Sequence, residues 1–200
     1  KFITSRLKDQ DDVMINIPLN LLKVDDFGIL LQADKHSQLT IIERAIKYAK
    51  IFSLDTPEAN KYKNNIIAKA LITILYSQST ASQKKDDIFS IIDTCHTHDF
   101  AIDSKGRFGE EVLITEYILK FVDEEVEELK EMPDSVFSLT QLAKALEFTL
   151  ISEGFNQNKN MHDDAQLLKV RLNSLIKGEA GKFFTGDKHV TPAQFVTDLV

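Results

Sequence analysis

Apolar residues recur at three- and four-residue spacing along most of the chain after residue 37, the spacing that lines one face of an α-helix. Thr40 and Glu43 have the form of a capping box, and Ile42, Ala45, Ile46, Ala49 and Phe52 follow as the first stripe. A second helix is predicted from Thr56 and Pro57, with Ile67, Ala70, Leu71, Ile74 and Leu75 inward before the polar run Ser77 to Ser82. A third covers about 86–95, burying Ile88, Ile91, Ile92 and Cys95. A long helix is expected over 109–132 with Ile114, Ile118, Phe121, Val122, Val126 and Leu129 inward, ended by Pro133. Two more are predicted at 138–153 and 162–177, with Gly154 and Gly178 as their C-terminal glycines, and Thr191 and Pro192 open a last one.

The pattern fails in two places. Around 100–108 the residues Asp103, Ser104, Lys105 and Gly106 have turn chemistry, which predicts a tight turn or small hairpin. Near the N-terminus Val13, Ile15, Ile17 and Leu19 alternate as a strand does, while Pro18 opposes a central strand position. The expected fold is therefore all-α: an irregular helical bundle or short helical array of about six to seven helices. Residues 1–37 form an extended or mixed segment and 38–200 the helical domain. Within it Ala68-Lys69-Ala70-Leu71 with Leu75 echoes Ala143-Lys144-Ala145-Leu146 with Leu150. Two related helix-loop-helix units at about 57–95 and 138–177 would produce that echo, as would ordinary helix-favouring composition.

Composition narrows the class without naming a function. With 200 residues, 43% hydrophobic and 28% charged, the chain has globular usage and a core of ordinary size. No apolar run reaches the roughly 18 residues that span a bilayer, and Lys1 to Asp12 is too polar for a signal peptide. The single cysteine, Cys95, makes no internal disulfide, which is compatible with a reducing compartment such as the cytosol. A start at Lys1 and a stop at Val200 within a helical pattern lead us to expect a fragment of a larger protein.

Charge changes the picture more. From 109 to 132 nine acidic residues stand against two lysines, an excess equal to the net charge of −7 carried by the whole chain. Such a balance argues against general nucleic-acid binding. On a continuous helix Asp123 and Glu127, Glu124 and Glu128, and Glu127 and Glu131 are like charges at i,i+4, each pair costing roughly 0.2–0.5 kcal/mol. The acids either solvate a face or form a docking surface for a basic partner protein, with Asp123, Glu124, Glu127, Glu128 and Glu131 as the binding residues.

Candidate chemistry is sparse. Asp93, Cys95, His96, His98 and Asp99 are ligand-type residues in one short stretch, either a metal site or a polar helix end. His96-Thr97-His98-Asp99 resembles the opening of the HxHxDH motif of metallo-β-lactamase-type hydrolases, without its closing Asp-His pair. Lys35-His36-Ser37, followed by Ile42, Ala45, Ala49 and Leu54-Asp55, resembles the first helix of HD-domain phosphohydrolases. That resemblance implies a metal-dependent hydrolase in which His36 joins a later His-Asp pair. The helix where the family places that pair reads Ala68 to Tyr76 here and lacks it. Phe183 and Phe184, flanked by Lys182 and Lys188 in a glycine-containing loop, either tuck under the core or project as a tip for a membrane surface or partner. No GxSxG, HExxH, paired CxxC or GxGxxG occurs, and no cofactor or metal is assigned. The leading expectation is a non-catalytic helical protein-protein interaction module, followed by a degenerate HD-like hydrolase and a membrane-surface contact module.

Overall fold

The computed structural model of the chain describes residues 2–4, 12–95, 116, 118–125, 135–153, 159–186 and 188–199. Capping chemistry explains several of its boundaries. Thr56 Oγ1 accepts the Ala59 N–H at 3.2 Å, and Pro57 follows at the first helical position. Ser138 and Gln141 close a reciprocal capping box, with the Gln141 N–H donating to Ser138 Oγ and the Ser138 N–H to Gln141 Oε1. Thr191 and Gln194 do the same.

Among the described residues the elements run β1 (Phe2–Thr4), β2 (Asp12–Met14), β3 (Ile17–Pro18), α1 (Val24–Leu30), α2 (His36–Ser53), α3 (Pro57–Leu75) and α4 (Ala81–Cys95). They continue with α5 (Leu139–Ser152), α6 (Lys159–Lys177), β4 (Phe184–Thr185) and α7 (Pro192–Leu199). The fold is all-α, with two very short parallel ladders. Strand β1 pairs with β2, and β3 with β4, placing Ile17 opposite Phe184 and Pro18 opposite Thr185. Just after β4, Gly186 runs so close to the chain at Phe137 that a Cβ on it would lie 1.8 Å from the Phe137 carbonyl oxygen, a place only glycine can fill without a shift.

Several expectations need correction. Helix α2 begins at His36, so Thr40 lies inside it, and its hydroxyl donates to the His36 carbonyl at 3.1 Å instead of capping. The N-terminal segment is, by contrast, the less regular one expected, holding the short strands β1 to β3 and the 7-residue helix α1. Gly178 follows α6 with φ −83°, so it needs none of glycine's left-handed freedom and leads into a 3-10 turn over Glu179–Phe183. The helix expected over 109–132 is not continuous. Residues 116, 118 and 119 are helical, but 120–125 form turns and irregular chain. The Phe121 and Val122 N–H groups close back onto the Ile118 and Leu119 carbonyls, a tightened i,i+3 helix end. The expected hairpin at 100–108 and Gly154 lie outside the described residues.

Two apolar clusters make up the core. The first joins Phe27 of α1, Ile41, Ile42 and Ala45 of α2, Leu142, Ala145 and Leu146 of α5, and Ala165, Leu168 and Leu172 of α6, with Leu19 and Phe137. The second joins Ile67, Leu71 and Ile74 of α3, Ile88 and Ile91 of α4, and Ile118. Helix α5 belongs to both, since its Phe148 and Ile151 enter the second cluster. The Phe148 ring meets Tyr48 edge-on at 4.8 Å and Phe52 at 5.0 Å, so α2 reaches across the seam. The echoed positions Ala70 and Ala145, Leu71 and Leu146, and Leu75 and Leu150 are buried in both helices.

Polar chemistry fixes the start of α2 against α6. The buried Asp164 carboxylate accepts from Lys35 Nζ at 2.5 Å, Ser37 Oγ at 2.7 Å and Gln38 Nε2 at 3.3 Å. Gln38 Oε1 in turn accepts the Asp34 N–H at 3.0 Å. Hydrogen bonds from Lys35 and Ser37 hold the Asp164 carboxyl below its ordinary 3.8, and Asp164 holds Lys35 above its ordinary 10.5.

Two tests follow from this packing. Phe148→Ala should cost about 3–5 kcal/mol in urea denaturation, because one ring fills space shared by both clusters; a loss below about 1 kcal/mol would mean that they do not depend on it. Asp164 binds protons less readily when folded than when unfolded, so its contribution is complete above its unfolded value and fades as pH falls through the folded value. The stability advantage of wild type over Asp164→Asn should therefore be flat at neutral pH and shrink below about pH 4. An advantage that grows on acidification would contradict the assigned geometry.

Candidate functional site

Helix α3 displays Lys61, Asn65 and Lys69 at i,i+4 spacing, one residue per turn along one face. That face receives the acidic segment. The Asp123 N–H donates to Asn65 Oδ1 at 3.2 Å, and Asn65 Nδ2 donates to the Asp123 carbonyl at 2.9 Å. Asn65 is buried and Asp123 half-buried, so the clamp is partly shielded from solvent. Lys61 Nζ lies 2.8 Å from Asp123 Oδ2, and the Glu125 N–H donates to Asp123 Oδ1 at 2.9 Å. Those contacts, Lys61 first, hold the Asp123 carboxyl below its ordinary range.

Glu124 is engaged more loosely. Lys69 Nζ stands 3.5 Å from its carboxylate, which remains 83% exposed. Such a surface pair is worth little and is readily exchanged. Glu116, Leu119 and Glu125 are exposed nearby in the chain, while Ile118 is buried beneath them. Asp123 and Glu124 thus meet lysines of their own chain, whereas Glu127, Glu128 and Glu131 lie outside the described residues. Asn65 was not anticipated. Its signal was the Lys61, Asn65, Lys69 row, polar positions at helical spacing that run on into the apolar half of the helix.

The other candidates are scattered. His96, His98 and Asp99, and the side chains of Asp93 and Cys95, lie outside the described residues. His36 is exposed on the first turn of α2, and His162 Nδ1 is 3.6 Å from Asp163. The starts of α2 and α6 do meet, but through Lys35, Ser37, Gln38 and Asp164. No group of three His, Cys, Asp or Glu among the described residues could hold a metal ion. Lys182 pairs with Glu179, Phe184 packs against the first core cluster, Phe183 is half-buried and Lys188 is exposed.

Two further concave surfaces lie among the described residues, the first of them including His162. Gln83, Asp87, Glu147, His162 and Gln166 help line a cleft of about 200 Å³ between α4, α5 and α6. Glu147 is paired with Lys169, outside that lining, at 2.7 Å. Burial, then Asp86 and Glu147, push the Asp87 carboxyl up. The second is a groove of about 570 Å³ formed by residues 20–24, Ile46 and Lys50 of α2, and residues 189–192.

No family model matches the chain, and no curated protein matches it.

The clamp itself can be tested. Asn65→Ala deprives the Asp123 N–H and carbonyl of their shared partner, which should cost about 1–3 kcal/mol. Amide exchange should quicken at 122–125 while the first core cluster keeps its protection. Unchanged exchange at 122–125 would show that Asn65 does not hold the segment.

Proposed function

We propose that this chain is a non-catalytic helical interaction module that docks a basic surface of a partner protein through its acidic segment. The observation that supports this most is the Asn65 clamp. It fixes the main chain that carries Glu124 and Glu125, both exposed, close in sequence to the half-exposed Leu119. A docking surface gains from such pre-ordering, because the entropy of fixing the segment is already spent before the partner arrives. Glu127, Glu128 and Glu131 extend the charge along the sequence, whereas Asp123 serves the internal pair with Lys61. Clustered carboxylates raise the encounter rate with a basic partner and discriminate against acidic ones. The membrane-surface alternative gains nothing from Phe184, whose ring packs inward.

Replacing Glu124, Glu127, Glu128 and Glu131 together by Gln separates folding from binding. The variant should melt close to the wild-type temperature, because Glu124 gives up only an exposed pair with Lys69 while the density of negative charge in the segment falls. Proteins captured from cell extract by wild type and depleted with the variant are then examined by surface-based kinetics. Their association rates should fall in the variant, and wild-type rates should fall as salt shortens the roughly 10 Å screening length at about 0.1 M. An unfolded variant would make these carboxylates structural. Unchanged, salt-insensitive kinetics would reduce them to a solvated surface.

A further inference from the structure

The groove beside α2 is built by a contact between distant parts of the chain. Asn20 holds both main-chain groups of Val190: its Nδ2 donates to the Val190 carbonyl at 2.8 Å, and its Oδ1 accepts the Val190 N–H at 3.3 Å. This ties the turn at Leu19–Leu21 to the lead-in of α7, with Ile46 buried at the base. Leu21, Leu22, Val24, Val190 and Pro192 supply further apolar surface. The ionisable side chains of the lining are Lys23, Lys50 and His189, all basic. Asp25, Asp26 and Glu43 lie close in sequence but outside the lining. A basic, apolar groove on a chain of net charge −7 runs against the overall charge.

Main-chain N–H groups on both of its walls are already used. The Leu22 N–H donates to the Leu19 carbonyl, the Lys23 N–H to Asp26 Oδ2 at 2.8 Å, and the Thr191 N–H to Gln194 Oε1 at 3.0 Å. Strand addition, which depends on free main-chain groups, is therefore disfavoured, and recognition falls to side chains. An occupant must bring its own satisfied backbone, an apolar face for Leu22, Val24 and Ile46, and carboxylates for the cationic rim. An acidic amphipathic helix has all three.

We propose that this groove is a second docking site, distinct from the acidic segment and opposite in charge, that binds an acidic amphipathic helix of a partner protein. The chain is then a two-sided adaptor.

A fluorescein-labelled peptide with Leu at three- and four-residue spacing flanked by Glu serves as the probe, with a Leu/Lys peptide and a Ser/Glu peptide as controls. By fluorescence anisotropy the Leu/Glu peptide should bind more tightly than either control. Lys23→Glu/Lys50→Glu should weaken it about tenfold, the size expected when two attractive rim charges become repulsive, and should improve binding of the Leu/Lys peptide. Thermal melts confirm that the variant is folded, and Lys23→Gln/Lys50→Gln replaces it if it is not. Amide shift changes should fall at residues 20–24 and 189–191 and spare 118–125. The Glu→Gln variant of the acidic segment should bind the peptide as wild type does, so the two sites fail independently. Equal binding of all three peptides, or binding indifferent to the lysine changes, overturns the proposal. So does a dimer of the protein alone, seen by sedimentation and lost with the lysine changes, which would make a second copy the occupant.

Discussion

The structure depends on α5, a helix buried on nearly every side. Leu139, Leu142, Ala145, Leu146, Phe148, Leu150 and Ile151 are buried along it, and even Thr149 is interior, its hydroxyl donating to the Ala145 carbonyl at 2.8 Å, while Thr140, Gln141, Lys144 and Glu147 keep one side polar. A helix with so wide an apolar surface must be enclosed on most of its sides. Helices α2 and α6 enclose one side and α3 and α4 the other, so the two clusters are joined through a single element. Phe148 makes this coupling specific, because its ring touches Tyr48 and Phe52 of α2 while it belongs to the cluster built on α3 and α4.

That enclosure sets where function can lie. With Ile67, Leu71 and Ile74 turned toward α5, the Lys61, Asn65, Lys69 row is left on a different part of α3, available to the acidic segment. At the opposite end of the molecule's polar chemistry, Asp164 fixes the start of α2. The same helix places Ile46 and Lys50 in the basic groove. Both charged surfaces are therefore carried by helices whose positions the core determines.

Much of this was legible in sequence, because caps and apolar stripes are local signals. Thr56-Pro57 and Ser138 marked real helix starts, and Ile42, Ala45, Ile46 and Ala49 of α2, the whole stripe of α3, and Ile88 and Ile91 of α4 are buried as their spacing predicts. The misjudged boundaries are those decided by distant residues. Thr40 and Glu43 imitate a capping box, but Gln38 and Ser37 bond to Asp164, 126 and 127 positions away, and the helix extends back to meet it. Helix α1 is only 7 residues long, too short for periodicity to register. The groove joins residues 170 positions apart through Asn20 and Val190, a pairing with no local signature.

The acidic segment shows the same conflict in energetic terms. A continuous helix would set Asp123 and Glu124 one turn from Glu127 and Glu128, at roughly 0.2–0.5 kcal/mol of repulsion per pair, with further acids at the unfavourable end of the dipole. Apolar periodicity through Ile118, Phe121 and Val122 favours continuing regardless. The deciding contribution comes from α3, where Asn65 offers the Asp123 main chain two hydrogen bonds worth about 1 kcal/mol each. Taking them requires leaving the helix after Leu119. Departure removes the i,i+4 geometry for Asp123 and Glu124 and delivers their carboxylates to Lys61 and Lys69. Apolar burial is not forfeited, since Phe121 and Val122 still pack against the second cluster. The break in the helix is thus the arrangement in which burial, backbone bonding and charge agree, and it leaves Glu124 and Glu125 fixed at the surface.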